Sequence, residues 1–191
     1  MKVLALDPGK QKDSFGVVAA KRENGLIYVL NAQRFLGMRY LEVEEHITNL
    51  YKNHQYDYVV LELNNTGHHV IEVLERNGVP ITPVTTIANI KDPKKKYDPQ
   101  KMEKNEIVKH MMSLFQENKI VFPVRSNPEL DELKRQLSIF SEIKTEAGNV
   151  SYRAEGQEHD DLVMALMLAI WKLRVYDVSL TVVNPYIDDD D

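Results

Sequence analysis

The order of hydrophobic and polar positions predicts that the chain begins with three β-strands. Apolar runs with strand character cover residues 3–6, 14–21 and 26–34. The last two runs are joined by Asn24-Gly25, a pair typical of two-residue hairpin turns. We therefore expect an antiparallel meander at the start of the chain.

Helical and extended patterns alternate in the next part of the chain. Apolar residues recur with helical spacing over 40–52 and 67–76, and strand-like runs cover 57–63 and 79–85. Alternating strands and helices favour parallel pairing. The predicted fold class is therefore α/β, with a mixed central sheet of three antiparallel strands followed by parallel strands and with flanking helices.

The C-terminal half is predicted to be mainly helical with one added β-hairpin. The expected order is a lysine-rich loop over 90–99, a helix over 100–117, an extended piece over 120–123, a helix beginning at Asn127-Pro128, a hairpin over 142–154 and a last helix from His159 to about Val175. We expect residues 1–178 to form one domain and residues 179–191 to be an acidic, flexible tail.

Composition excludes several classes of protein. The 191 residues contain no cysteine, which excludes disulfides, thiolate metal sites and thiol nucleophiles. The longest apolar run, 162–171, is far shorter than the roughly 18 residues that span a bilayer, and the first residues lack the pattern of a signal peptide. We expect a soluble protein inside the cell, without a membrane partner.

Charge is distributed unevenly along the chain. The formal net charge is −5, but residues 91–125 hold nine Lys and Arg against five Asp and Glu, a local net charge of +4. A basic segment in an otherwise acidic chain is what a metal-dependent enzyme acting on a polyanion needs. The alternative is a lysine-rich loop that is merely solvated.

Two acidic residues stand where strands are predicted. Asp7 ends the first strand, and open α/β sheets place their sites at that end of the strands, although Asp before Pro8-Gly9 also suits a turn. Glu62 lies in the apolar run 58–63. A carboxylate in an interior strand costs several kcal/mol unless a positive group or a metal ion compensates it.

A third acidic position opens the last helix. Asp160 and Asp161 precede the run 162–171, which is apolar nearly all round and hence predicted to be buried. A helix cap needs only one acid. Three acidic positions on separate elements predict a site for hard cations, Mg²⁺ or Mn²⁺. Two such ions, about 4 Å apart, can drive phosphodiester hydrolysis.

Three motifs together resemble those of a known family. They are Leu6-Asp7-Pro8-Gly9, the run 60–67 (VLELNNTG) and the run 158–166 (EHDDLVMAL). In this order they resemble the RNase H-like nuclease domain of phage-type terminase large subunits, within the RuvC-like superfamily, over residues 1–175. The resemblance implies an RNase H-like fold, two divalent cations and cutting of double-stranded DNA at genome packaging.

The resemblance also implies roles for particular residues. Asp7, Glu62 and Asp161 would be the catalytic metal ligands, with Asp160 as a further ligand or as the alternative at the third position. The residues implied beside the ligands or the substrate are Asn64, Glu158 and His159. The lysines expected to bind DNA are Lys94, Lys95, Lys96, Lys101 and Lys104.

Partners and location follow from the same resemblance. A full large terminase subunit carries an ATPase motor before the nuclease, and these residues contain no such motor motif. A packaging ATPase and the portal or the small terminase subunit are therefore expected partners. The expected location is the cytoplasm of the host cell.

The same residues allow other interpretations. The main alternative is a RuvC-like resolvase with the same acids and a Holliday junction as substrate. An actin-like or sugar-kinase-like domain begins similarly, but it needs a second glycine-rich hairpin and a longer chain. A non-catalytic adaptor is disfavoured because all three acidic positions are filled.

The lysine loop gives the first testable prediction. Changing Lys94, Lys95 and Lys96 to Ala should flatten the logarithmic salt dependence of duplex DNA binding by about 2 to 3, because each lysine that neutralises a phosphate contributes roughly 0.9. The melting temperature should barely change. An unchanged salt slope would show that the loop is only a solvated surface.

Overall fold

Strands and helices alternate through the part of the chain that the computed structural model describes, residues 1–9, 14–63, 67–87, 100–144, 150–154 and 159–174. The strands are β1 (Lys2–Pro8), β2 (Phe15–Glu23), β3 (Leu26–Phe35), β4 (Tyr58–Glu62), β5 (Ile81–Ile87), β6 (Lys101–Glu103), β7 (Ile120–Val121), β8 (Phe140–Lys144) and β9 (Val150–Ala154). The helices are α1 (Tyr40–His54), α2 (Gly67–Arg76), α3 (Lys104–Gln116), α4 (Pro128–Ile139) and α5 (Asp161–Arg174).

The main sheet is mixed and has the strand order β6-β5-β4-β1-β2-β3-β7. Strands β1, β2 and β3 pair antiparallel, whereas β4, β5 and β6 extend the sheet in parallel from β1, and β7 joins β3 in parallel. Strands β8 and β9 form a separate antiparallel hairpin. The predicted mixed sheet with an added hairpin before the last helix is confirmed.

The two faces of the sheet bury two separate cores. In β1, Leu4 and Leu6 pack with the core that helices α1 and α2 cover, while Val3 and Ala5 pack with the core that contains α5. This alternation follows from the two-residue period of a strand. Helix α5 is buried nearly all round because α3 and α4 pack against it in addition to the sheet.

Some predicted boundaries were wrong, each for a local reason. The helix predicted from Gln100 begins at Lys104, because residues 101–103 pair with β5 as strand β6. Met102 is fully buried there, and an inward-facing methionine fits a helix or a strand equally well. The strand predicted from Val79 begins at Ile81, because the Val79 amide still bonds to the end of α2.

Two further boundaries differ near the last helix. The hairpin begins at Phe140 rather than Glu142, directly where α4 ends. The last helix begins at Asp161 rather than His159, since its first intrahelical bond runs from the Met164 amide to the Asp160 carbonyl. Asp160 therefore occupies the cap position.

Other predictions concern residues outside the described ranges. The loop over 90–99, the boundary at 178 and the acidic tail over 179–191 all lie there. Among the described residues, no helix combines the length and the apolar character that crossing a bilayer requires.

Because α5 is buried, shortening one of its core side chains should greatly lower the stability of the fold. Leu166 is fully buried in this helix, so Leu166→Ala should lower the free energy of unfolding by about 2–5 kcal/mol in chemical denaturation. Val124→Ala is the control, because Val124 is fully exposed and its truncation should change the value by less than about 0.5 kcal/mol. A Leu166→Ala effect as small as the control would contradict the central position of α5.

Candidate active site

Strand register brings the first two acids side by side. Strands β1 and β4 are parallel neighbours, with Ala5 opposite Val60 and Leu6 opposite Leu61. Continuing the same register places Asp7 next to Glu62 at the carboxyl ends of the two strands. Both side chains fall on the α5 face of the sheet, because each follows a residue of that face by two positions.

The third acid reaches this place from the helix that covers the sheet. Gly16 on β2 pairs with Asp7 in the sheet. A β-carbon at Gly16 would clash with the backbone carbonyl oxygen of Asp161 and would lie 3.2 Å from its Cβ. The first residue of α5 therefore lies directly on Gly16, beside Asp7, and only glycine allows this close approach.

A second glycine positions the end of β4. A β-carbon at Gly67 would clash with the carbonyl oxygen of Glu62, because the first turn of α2 packs closely on the strand end. This contact explains why the motif after Glu62 ends in glycine. Glu62 itself is buried.

The acids form one electrostatic cluster. The pKa of Asp7 is raised well above its ordinary value, first by the loss of hydration and then by Glu62, through its charge and through the hydrogen bond that protonated Asp7 donates to it. Asp161 and Asp160 add smaller repulsions. All four acids predicted from the sequence are thus neighbours.

The carboxylate of Asp161 is buried without compensation from hydrogen bonds. Neither of its oxygens has a hydrogen-bond partner among the described residues. Burial raises its pKa, while the Ser14 hydroxyl, the Asp161 backbone amide, Arg34 and His159 lower it. The hydroxyl and the amide lie close to the carboxylate, but neither makes a well-formed hydrogen bond to it.

These properties fit a divalent cation. A buried carboxylate without hydrogen bonds is costly unless a cation compensates it, and carboxylate oxygens are the ligands that Mg²⁺ and Mn²⁺ prefer. Within the described ranges, however, no three His, Asp or Glu side chains meet closely enough to hold a metal ion as they stand. The residues are therefore neighbouring carboxylates rather than a preassembled coordination shell.

Lys104 lies at the edge of the acidic cluster. Its Nζ is 3.9 Å from Oδ2 of Asp160 and sits over the Phe140 ring, 5.7 Å from the ring centroid. The side chain is 23% exposed, so it is partly withdrawn from solvent. Of the two adjacent aspartates, Asp160 faces this lysine and Asp161 is the buried one.

The structure describes two of the other predicted site residues, His159 and Lys101. His159 is exposed just before the last helix, and Lys101 begins the edge strand β6. Outside the described residues lie Asn64, Glu158, Lys94, Lys95 and Lys96.

Sequence reasoning missed three residues that border the acids, Ser14, Gly16 and Arg34. A glycine inside a strand is a recognised sign of close backbone approach, so Gly16 carried a usable signal. Arg34 carried none, because only the packing of β3 near α5 brings its charge towards Asp161.

The contact of Asp161 with Gly16 predicts a sensitive position. Gly16→Ala should push the start of α5 off the sheet, because the added methyl group meets backbone rather than a flexible side chain. We expect a lower melting temperature together with weaker binding of Mn²⁺, measured by isothermal titration. Gly25→Ala is the control: Gly25 has φ +76° in the turn between β2 and β3, so alanine there should lower the melting temperature by backbone strain but leave Mn²⁺ binding unchanged. Wild-type Mn²⁺ binding in Gly16→Ala would contradict this geometry.

The raised pKa of Asp7 predicts how stability depends on pH in EDTA. Because the folded-state pKa exceeds the unfolded one, ionised Asp7 destabilises the fold; the penalty is absent below about pH 3.9 and grows as the pH rises towards the folded pKa. Asp7→Asn should therefore melt higher than the wild type at pH 7, by a margin that shrinks on acidification.

Asp131 provides the control, because its pKa is shifted in the opposite direction. The Ser126 hydroxyl lowers the pKa of Asp131, so Asp131→Asn should melt lower than the wild type at pH 7, with a margin that also shrinks on acidification. If Asp7→Asn instead melted lower at pH 7, the carboxyl repulsion described above would be refuted.

Comparison with known proteins agrees with the fold and the motifs. A family model described as the terminase RNaseH-like domain matches residues 4–173. The large terminase subunit of Thermus virus P23-45 is 26% identical over 166 residues, which are 87% of this chain and 30% of that protein. The chain thus spans about 30% of the length of the curated relatives it matches.

Solved structures agree as well. The large terminase nuclease from thermophilic phage G20c has a TM-score of 0.69 at 22% identity, with 90% of this chain and 82% of that chain covered. A structure of the same nuclease with bound magnesium gives the same TM-score and identity, with 90% and 81% covered. The resemblance drawn from the three motifs and the RNase H-like fold class are confirmed, and the chain belongs to the family of terminase RNase H-like domains.

Proposed function

We propose that this chain is a metal-dependent endonuclease that hydrolyses phosphodiester bonds of double-stranded DNA, as needed to cut concatemeric viral genomes during packaging. The observation that carries the proposal is that Asp7, Glu62 and Asp161 are neighbours at one end of the sheet, with both Asp161 oxygens buried and unpaired among the described residues. Membership of the terminase family supports the same activity.

The proposed mechanism assigns the acids to two divalent cations, Mg²⁺ or Mn²⁺. Bound there, the ions would activate water and stabilise the leaving oxygen. Asp7 and Glu62 are held by strand register, whereas Asp161 is held by the contact of its backbone with Gly16. Three rigid elements thus position the carboxylates, and burial keeps bulk water from Glu62 and Asp161.

Divalent cations also suit the charge of the cluster. Structures of the phage G20c nuclease carry magnesium, cobalt or zinc, which supports divalent ions in general for this site. Since the acids repel one another, we propose weak metal binding to the free protein and tighter binding once a DNA phosphate completes the coordination. Asp160 would be the further ligand, with its charge moderated by Lys104.

DNA would reach the acids along basic side chains. We propose Lys94, Lys95, Lys96, Lys101 and Lys104 as phosphate contacts. Lys104 has the strongest support, because its ammonium group already lies beside Asp160. A local positive surface is needed to bring a polyanion to an acidic site in a chain of net charge −5.

The partners are proposed from the relatives. A large terminase from another thermophilic bacteriophage has been solved in complex with ATP-γ-S, and this chain covers 39% of it. We propose that the chain works with a packaging ATPase motor and with the portal or the small terminase subunit, in the cytoplasm of the host cell.

The catalytic acids give the decisive prediction for this activity. Asp7→Asn, Glu62→Gln and Asp161→Asn should each lower cleavage of supercoiled plasmid by at least ~100-fold, because loss of a direct ligand exceeds the usual effect of a supporting residue. Circular dichroism should remain that of the wild type. Glu42→Gln is the control and should keep full activity, because it removes an exposed acid of α1, which covers the opposite face of the sheet.

Metal and substrate controls complete this experiment. Mn²⁺ should support cleavage at least as well as Mg²⁺, and Ca²⁺ should bind without turnover. Full activity in EDTA, or in any one of the three acid variants, would refute the proposed site. Preference for a four-way junction over plasmid would favour the resolvase alternative.

A further inference from the structure

Gln136 is an unusual residue in the core. It lies on α4, where the inward-facing neighbours Leu130 and Leu133 are apolar, and it is 0% exposed. A polar side chain at such a place is costly unless its hydrogen bonds are satisfied. Both the oxygen and the nitrogen of the Gln136 side-chain amide make hydrogen bonds.

The amide oxygen holds the start of α5. The backbone amide of Leu162 donates to Oε1 of Gln136 at 3.0 Å. The first amides of a helix have no partner within the helix, and Leu162 is fully buried, so water cannot supply one. Leu162 directly follows Asp161, so this bond fixes the peptide that joins the two residues.

The amide nitrogen anchors Gln136 to the sheet. It donates to Oε1 of Glu132 at 3.2 Å, and the same oxygen accepts from Nη1 of Arg34 at 2.8 Å. The side chains of Arg34 and Glu132 are about one fifth exposed. A continuous chain of hydrogen bonds thus runs from β3 through α4 to the first turn of α5.

The first residue of α5 is therefore held from two sides. Gly16 meets its backbone from the sheet, and Gln136 fixes the next amide from α4. A glutamine is well suited to this task because a neutral amide accepts and donates at once. Glutamate would repel Glu132, and an apolar residue would leave the Leu162 amide unpaired.

We infer that Gln136 is a positioning residue, which orients the Asp161 carboxylate for the metal ions through the Leu162 amide. The inference rests on the proposed function of Asp161 as a metal ligand. It goes beyond that function because Gln136 itself belongs to no acidic motif and touches no metal.

The test compares metal binding with stability. Gln136→Met keeps the length and shape of the side chain but removes both hydrogen bonds. We expect its affinity for Mn²⁺, titrated by electron paramagnetic resonance without DNA, to fall about 10-fold, and the Mn²⁺ concentration needed for half-maximal plasmid cleavage to rise in parallel. Measurements are made well below the melting temperature of each variant.

A matched variant separates positioning from mere destabilisation. Leu133→Ala lies on the same helix, creates a cavity and removes no bond to α5. It should lower the melting temperature yet bind Mn²⁺ like the wild type. An equal loss of affinity in Leu133→Ala would overturn the positioning role.

A second substitution decides the matter if Gln136→Met does not fold. Gln136→Asn keeps a neutral amide in the core, but its side chain is one methylene shorter and so loses the bond to the Leu162 amide. It should weaken Mn²⁺ binding in the same direction, by a smaller factor. Wild-type affinity in this variant, or in folded Gln136→Met, would overturn the inference.

The outcome is distinguishable from failure of the proposed function. If Asp161→Asn binds Mn²⁺ as tightly as the wild type does, the proposed metal site is wrong and the inference falls with it. If Asp161→Asn loses Mn²⁺ while Gln136→Met keeps it, the metal site stands and only the positioning role is refuted.

Discussion

The packing of helix α5 against the sheet determines both the larger core and the position of the third acid. The helix is buried on nearly all sides, so its position relative to β1 and β2 is set by a large apolar contact rather than by a flexible tether. Asp161 is the first residue of this helix. The same contact that forms the core therefore brings a carboxylate to Asp7 and Glu62, and the stability of the fold and the geometry of the site share one cause.

That arrangement costs electrostatic free energy in the free protein. Desolvation and mutual repulsion raise the pKa of Asp7, and desolvation raises that of Asp161. Proteins retain such unfavourable clusters where function needs them. Here the cost is an argument for cations, since divalent ions would turn the repulsion between the acids into coordination. Lys104 beside Asp160 supplies only one positive charge at the rim of the cluster.

The acids that lie together in the structure could be picked out from the sequence, for a physical reason. A carboxylate within an apolar strand, or just before an apolar helix, departs from the apolar pattern expected of a buried element. Such a departure is visible in the sequence alone. Strand period and register then placed Asp7 and Glu62 together.

Strand β6, by contrast, was predicted as helix, because the three residues around Met102 carry too little pattern to distinguish a strand from a helix. Residues placed only by tertiary packing could not be predicted either. Gln136 looks like an ordinary polar residue of an amphipathic helix until the start of α5 is seen to bond to it. Local pattern reveals the unusual carboxylates, whereas the residues that pack or bond against them are visible only after folding.

The proposed mechanism requires Asp7, Glu62 and Asp161 to bind divalent metal ions together. The most direct measurement is the anomalous scattering of crystals soaked in Mn²⁺. We expect two anomalous peaks, about 4 Å apart, in contact with these three carboxylates. Manganese bound only elsewhere, or no peak between β1, β4 and the start of α5 at saturating Mn²⁺, would contradict the proposed mechanism.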